Sequence, residues 1–196
     1  MKLAARPFTS AVLLLLAVSA CAAPGVVETD DPYRKLAQAR QLEDSGRLAV
    51  AKRLIFEAME IFEERRDDLG LAEAYRQYGF FVRVNGEEAV IRLDSATPDP
   101  TNEDGRMDKS IEYFRKAFGI VEAQGDLGLV TNLHYHIGVS HHYAGRSGAA
   151  CKSLDESLST YRKSKEIRPD LTVDLPEFVK DYPELIDRAK AEFKCT

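Results

Sequence analysis

One internal repeat constrains the fold of this chain more than any other feature of its sequence. Three Gly-Arg pairs begin at positions 46, 105 and 145, and small or apolar residues recur five, nine and twelve positions after each glycine. This spacing is helical, and small residues on the shared face allow a second helix to approach closely. The recurring residues are Ala51, Ile55 and Ala58, then Ser110, Phe114 and Ala117, then Ala150, Leu154 and Ser157.

A second repeated motif precedes two of these pairs. The segment Asp-Leu-Gly-Leu occurs at 68–71 and again at 126–129, and each copy leads into an aromatic-rich helix that carries Gly79 or Gly138. Gly138 lies 7 residues before the third pair, whereas Gly79 lies 26 residues before the second, which indicates an insertion of 19 residues at about 86–104. Without the insertion, both spacings between successive Gly-Arg pairs equal 40 residues.

These small and aromatic positions resemble those of the tetratricopeptide repeat (TPR), a helix–turn–helix unit of about 34 residues. The longer period here is more similar to the kinesin-light-chain-type variant. The resemblance implies an all-α fold, a short α-solenoid of three TPR-like repeats over residues 33–168. A chance amphipathic helical bundle is the alternative. After Pro169 the pattern stops, and the apolar stripe of Leu185, Ile186, Ala189 and Phe193 predicts a capping helix within residues 169–196.

The first residues predict export. Lys2 and Arg6 precede an apolar run over residues 11–18, and small residues then lead to Cys21, as in a secretory signal peptide of residues 1–20. The run is shorter than the roughly 20 apolar residues that span a bilayer. A signal peptide that happens to contain a cysteine is one interpretation of this segment.

The other interpretation is lipidation, because the sequence Val-Ser-Ala-Cys at 18–21 resembles the lipobox of bacterial lipoproteins. That resemblance implies cleavage before Cys21 and attachment of acyl chains such as palmitate to it, with residues 21–32 as a lipidated tether. Several acyl chains together give a stable membrane anchor. Ala22 follows the cysteine, and the usual sorting rule then favours the outer membrane, facing the periplasm.

The charge of the chain disfavours nucleic acid as a partner. The full chain has a formal net charge of −5, and removal of residues 1–20 leaves 25 basic residues against 32 acidic ones, a net charge of −7. Binding to phosphate backbones requires a concentrated cationic face. Charged residues at 30% and apolar residues at 44% are typical of a globular protein.

The sequence does not predict a metal site. The four histidines at 134, 136, 141 and 142 include no pair spaced by three or four residues, and His134 and His141 would lie about 10.5 Å apart along a helix axis. A zinc ion cannot bridge that distance. An EF-hand calcium loop with Gly105 as its sixth residue is also excluded. Its first ligand position would be Pro100 and its twelfth Ile111, and neither side chain can bind calcium. The insertion is instead interpreted as an acidic loop at the edge of a groove, and no cofactor is predicted.

Two further cysteines, Cys151 and Cys195, remain besides Cys21. In an exported protein an even pair suggests a disulfide, which would attach the cap to the third repeat; two unpaired thiols are the alternative. The serines at 140 and 147 lack the Gly-x-Ser-x-Gly elbow of a nucleophile, and no phosphate-binding glycine loop occurs. An enzyme is not predicted.

By resemblance to TPR proteins, the first helix of each repeat lines a concave groove that binds a protein or peptide. The leading hypothesis is therefore a membrane-anchored periplasmic adaptor or scaffold in envelope or secretion-system assembly. The alternative is a small-ligand-binding lipoprotein with a pocket near the His/Tyr-rich helix of repeat three, and edge-to-edge oligomerisation is a third. Register assigns to the groove Leu36, Arg40 and Glu43 from repeat one, Arg76, Phe80 and Arg83 from repeat two, and Tyr135, Val139 and His142 from repeat three.

Overall fold

The computed structural model describes residues 25–85, 103–171, 173 and 175–195, and these residues form seven α-helices and no β-strand. The prediction of an all-α fold is confirmed for this part of the chain. The signal peptide, Cys21 and residues 86–102 of the insertion lie outside it. The helices are α1 (Pro32–Asp44), α2 (Leu48–Arg65), α3 (Asp68–Asn85), α4 (Glu103–Ala123), α5 (Leu127–Tyr143), α6 (Ser147–Ile167) and α7 (Tyr182–Glu192). None of the described helices is both long and apolar enough to cross a membrane.

Equivalent aspartates cap the N-termini of α3 and α5. The Oδ1 atom of Asp67 accepts a hydrogen bond from the backbone N–H of Gly70 at 2.9 Å, and Oδ1 of Asp126 accepts one from Leu129 at 3.0 Å. Each carboxylate thereby satisfies an N–H group that has no partner within the helix. The two capping residues lie 59 positions apart, as do Gly79 and Gly138. The equivalent residue to Asp126 is therefore Asp67 and not Asp68, so the Asp-Leu-Gly-Leu match is out of register by one residue.

Two of the three Gly-Arg pairs form the same turn. Gly46 and Gly145 have φ angles of +73° and +70°, and each lies between the two helices of a pair. A glycine suits this left-handed conformation because it has no Cβ atom. Gly105 differs, since it lies in the first turn of α4, which begins upstream at Glu103.

The repeated positions form the centre of the core. All nine residues at the repeated offsets after the Gly-Arg pairs are at most 1% exposed. The two repeated glycines lie at close helix contacts: a Cβ atom on Gly79 would lie 2.8 Å from the ring of Phe114, and one on Gly138 would lie 3.2 Å from the carbonyl oxygen of Ala150. The Ser110 hydroxyl donates to the carbonyl oxygen of Gly79 at 2.9 Å, so this contact also satisfies a polar group.

The helices pack mainly in chain order, each on the next, and α1 also contacts α3. The core is correspondingly divided into an α1–α3 cluster, a cluster around α4 and α5, and a terminal cluster between α5, α6 and α7. A disulfide joins Cys151 of α6 to Cys195, with their Cα atoms 5.6 Å apart. Core packing and the disulfide together fix the position of α7.

Candidate functional site

A charged network connects α1 to α3 on the surface where the first-helix positions lie. Arg40 donates to the Glu73 carboxylate, which also accepts from Nε and Nη2 of Arg76 at 2.8 and 2.9 Å. The side chain of Arg40 is 54% exposed, and those of Glu73 and Arg76 about half as much. One carboxylate shared by two guanidinium groups leaves a net positive charge at this position.

Aromatic rings continue this network from α3 to α5. The Phe80 ring lies edge-to-face with His136 at 4.5 Å and with Phe114 at 5.1 Å between centroids. The guanidinium groups of Arg76 and Arg83 lie 5.3 and 5.1 Å from the centroid of Phe80. These distances are within the range of cation–π attraction, which strengthens where water is excluded.

Arg83 and His136 form a polar contact between the two helices. Arg83 donates to the His136 carbonyl oxygen at 3.2 Å, and its Nη2 lies 3.3 Å from Nδ1 of the imidazole. Because arginine only donates, Nδ1 acts as the acceptor and the ring proton resides on Nε2. Burial, and then the charges of Arg83 and Arg76, hold the pKa of His136 well below 6.5. Burial also lowers the pKa of Arg83 to about 10, so Arg83 remains charged at neutral pH.

In repeat one, Arg40 is the exposed member of the predicted set. Leu36 is 2% exposed and belongs to the core, and its carbonyl oxygen accepts from Nε2 of Gln77 at 3.0 Å. Glu43 is half-buried; burial raises its pKa, and hydrogen bonds from Gln77 and Asn85 oppose that rise. Helix α1 therefore presents the cation Arg40 at this surface, while Leu36 is turned to the interior.

The C-terminal part of the chain covers two of the predicted groove residues of α5. The His142 ring stacks on Phe193 with centroids 3.9 Å apart and an interplanar angle of 9°. Val139 packs against the terminal cluster that contains α7. Tyr135 is half-buried and remains accessible beside His136. Of the nine predicted groove residues, Arg40, Arg76, Phe80, Arg83 and Tyr135 are thus brought together on one partly accessible surface.

A cleft of about 580 Å³ adjoins this surface, between α5, the residues Arg168, Leu171, Val173 and Pro176, and the start of α7. Its volume is within the range of small-ligand pockets. The apolar part of its wall comes from Leu129, Leu171 and Leu185 with the rings of Tyr135 and Tyr182, and its cations are Arg76 and Arg168. Repeat analysis missed Arg168, Leu171 and Tyr182 because they lie at or beyond the end of the last repeated unit, where the repeated offsets no longer apply.

Specific contacts hold the C-terminal wall of this cleft in place. Lys165 donates to the carbonyl oxygens of Pro169 and Leu171, the latter at 3.0 Å. The Tyr182 hydroxyl shares a hydrogen bond of 2.7 Å with Ser157, and its ring stacks on Tyr161 at 4.7 Å. The wall is therefore attached to α6 by hydrogen bonds and ring stacking as well as through the disulfide.

The histidines lie apart from any cluster of metal ligands. Within residues 25–85, 103–171 and 175–195, no group of three or more His, Cys, Asp or Glu side chains is arranged to hold a metal ion. His134 approaches Glu156, with 3.3 Å between Nδ1 and Oε2, and His136 contacts Arg83. In each case the imidazole links two helices.

Comparison with family models, with curated proteins and with solved structures finds no match for this chain. What the chain does must therefore be inferred from its own surface, because an all-α fold alone does not define a function. The surface around Arg76 and the cleft beside it both combine accessible cationic and aromatic groups.

Proposed function

We propose that this chain is a lipid-anchored adaptor of the bacterial cell envelope that binds a protein or peptide partner through a TPR-like groove. The observation that supports it most is that Arg40, Arg76, Phe80 and Tyr135, from α1, α3 and α5, are linked to one another through Glu73 and His136. Arginine and aromatic side chains contribute strongly to binding energy at protein interfaces. We call this set, together with Arg83, the groove face.

The TPR-like part of the proposal rests on packing. The repeated offsets correspond to buried positions in all three units, and close helix contacts occur at the equivalent glycines Gly79 and Gly138. In the proposed arrangement, α1–α2, α3–α4 and α5–α6 are three repeats of a short α-solenoid. Helix α7 then caps the last repeat, with Arg188 and Lys190 among its charged residues.

The cellular location in the proposal rests on the N-terminal residues and the disulfide. A signal peptide with a lipobox would anchor Cys21 in a membrane, which we propose is the outer membrane facing the periplasm. The Cys151–Cys195 disulfide supports an oxidising compartment, since such bonds are rare in the cytosol. The proposed partner is a protein or peptide, and neither nucleic acid nor an enzymatic reaction is part of the proposal.

Affinity capture from solubilised envelopes tests this function. The wild-type protein, used as bait, is compared with an Arg40→Gln/Arg76→Gln variant, which removes two of the three cations of the groove face and leaves the half-buried Phe80 and Arg83 in place. The matched control is Arg53→Gln/Arg162→Gln, on the exposed surfaces of α2 and α6. A partner retained by wild type and control but depleted from the groove variant supports the adaptor. Identical sets of captured proteins from all three baits contradict it.

A second candidate function is the binding of a small ligand in the cleft between α5 and the C-terminal segment. The observation that favours it is the cleft itself, whose volume of about 580 Å³ and partly apolar wall suit a small organic molecule. His136 lies in this wall as a neutral imidazole, because its pKa is held well below 6.5 by burial and by nearby cations.

A further inference from the structure

We infer that the cleft binds a small amphipathic carboxylate, an organic acid with an apolar body and one anionic end. This inference rests on the second candidate function and names its class of ligand. Its basis is the combination of an apolar wall with two arginines in one cavity of ligand size.

The apolar wall determines the body of the ligand. Leu129 of α5, Leu171 of the C-terminal segment and Leu185 of α7 approach the cavity from three parts of the chain. Tyr182 adds ring surface, and its hydroxyl is already hydrogen-bonded to Ser157 at 2.7 Å. Because the tyrosine hydroxyl has a partner in the protein, this side of the cleft favours carbon over polar groups in the ligand.

The charges of the cleft determine the other end of the ligand. Arg76 shares its carboxylate partner, Glu73, with Arg40, and no ion pair joins Arg168 to a carboxylate within the described residues. Asp126 also lies at the cleft and carries one negative charge, which the N-terminus of α5 partly offsets, since its Oδ1 atom caps that helix and accepts from the backbone of Leu129. His136 also lines the cleft, and the charges that act on its imidazole are those of the cations Arg83 and Arg76. An anion is therefore favoured, and the planar guanidinium groups match a carboxylate.

The cleft is preorganised to receive such a ligand. Lys165 holds the segment after α6 through the carbonyl oxygens of Pro169 and Leu171, and the Cys151–Cys195 disulfide holds the far end of α7. A wall fixed before binding loses little conformational entropy when the ligand enters.

A matched series of probes tests the inference: 4-phenylbutyrate, 4-phenylbutanol and 4-phenylbutylamine, which share an apolar body and differ in the polar end. Binding is followed by ¹H–¹⁵N NMR at the amides of Leu129, Tyr135 and Leu171. The protein is the full mature chain with Cys21→Ser, which avoids detergent. We expect the carboxylate to bind with a roughly millimolar Kd, at least about tenfold more tightly than the alcohol, and the amine most weakly.

Substitution of the arginines separates the charge from the cavity. Arg76→Gln/Arg168→Gln should weaken binding of phenylbutyrate by about tenfold and leave phenylbutanol unchanged, because a charge-assisted hydrogen bond is lost while the wall remains. The control, Arg162→Gln/Lys163→Gln on α6, should change neither.

The possible failures are distinguishable. If the alcohol and the amine bind as well as the acid, or if the arginine variant retains the preference for the acid, the inference about the carboxylate is wrong while small-ligand binding stands. If none of the three probes shifts the cleft amides, the inference and the second candidate function fail together. The adaptor proposal is unaffected by either result, since its test depends on captured proteins.

Discussion

Gly79 of α3 and Phe114 of α4 approach so closely that a Cβ atom on the glycine would lie 2.8 Å from the aromatic ring. Phe114 is fully buried, and the Ser110 hydroxyl, one turn earlier on α4, donates to the Gly79 carbonyl oxygen at 2.9 Å. The two helices of this pair are therefore brought together at a residue without a side chain. Gly138 has the equivalent place between α5 and α6.

We predict that Gly79→Ala destabilises the protein, because the added methyl group must displace a buried ring. The expected loss is about 1–3 kcal/mol in the free energy of unfolding, measured by urea denaturation. Gly119→Ala is the control: that glycine is exposed in the interior of α4 with no atom within 4 Å of the added Cβ. It should stabilise by about 0.5–1 kcal/mol. Equal effects of the two substitutions would contradict the close approach.

Reduction of the disulfide should destabilise the chain and release α7. The bond joins residues separated by 44 positions, and closing a loop of that length restricts the unfolded chain by about 4 kcal/mol in the entropy model. Urea unfolding with and without dithiothreitol measures the effect. Cys151→Ser/Cys195→Ser should be as unstable as the reduced wild type and should not respond to dithiothreitol. An oxidised wild type no more stable than this variant would count against a structural role for the bond.

Acid should weaken the fold through His136. Its pKa in the folded protein lies well below 6.5, so the unfolded chain takes up a proton first as the pH falls. The neutral His136 therefore leaves the free energy of unfolding at its full value above about pH 6.5. As the pH falls from there towards the folded pKa, the free energy of unfolding decreases by up to roughly 1.4 kcal/mol per pH unit. Burial also lowers the pKa values of His134 and His141, which act in the same direction.

NMR titration of the imidazole ring protons checks this prediction at the residue itself. His136 should remain neutral through pH 6 in the folded protein, and His136→Gln, which keeps an acceptor for Arg83, should reduce the loss of stability between pH 7.5 and 5.5. A His136 ring that titrates at or above pH 6.5 would contradict the account of its contact with Arg83.

Cys21→Ser should release the protein from the membrane. Serine cannot be modified by the diacylglyceryl group, so the variant should lack the mass of the acyl chains and should move from the membrane fraction to the soluble fraction. Mass spectrometry of the intact protein and cell fractionation measure the two effects. Membrane retention of the variant without acyl chains would show that another part of the chain provides the attachment.

The repeat offsets predicted the core well because each offset combines helical spacing with a small or apolar residue. Ala51, Ser110 and Ala150 differ in polarity, yet all are fully buried, since each occupies the same place between packed helices. The Asp-Leu-Gly-Leu motif alone gives the wrong register for the first helices. Asp67 and Asp68 are adjacent and identical in type, and the hydrogen bond from Gly70 shows that Asp67 is the cap.

The candidate site was harder to predict, because it depends on contacts between helices from different repeats. The repeat register assigns Leu36 and His142 to the same groove as Arg40 and Arg76. In the structure, however, Leu36 is buried in the core and the Phe193 ring covers His142. The cleft depends on the segment after α6, whose position follows from the contacts of Lys165 and Tyr182 with distant groups. No periodic pattern encodes such contacts.

Photo-cross-linking in living cells tests the groove face most directly. A photoreactive amino acid is placed at Arg40, which is exposed and lies at one end of the groove face, and at Arg162 of α6 as the control. The adaptor proposal predicts a discrete adduct of higher mass that forms at position 40 and not at position 162. Absence of an adduct at position 40, or the same adducts at both positions, would contradict a partner bound at this surface.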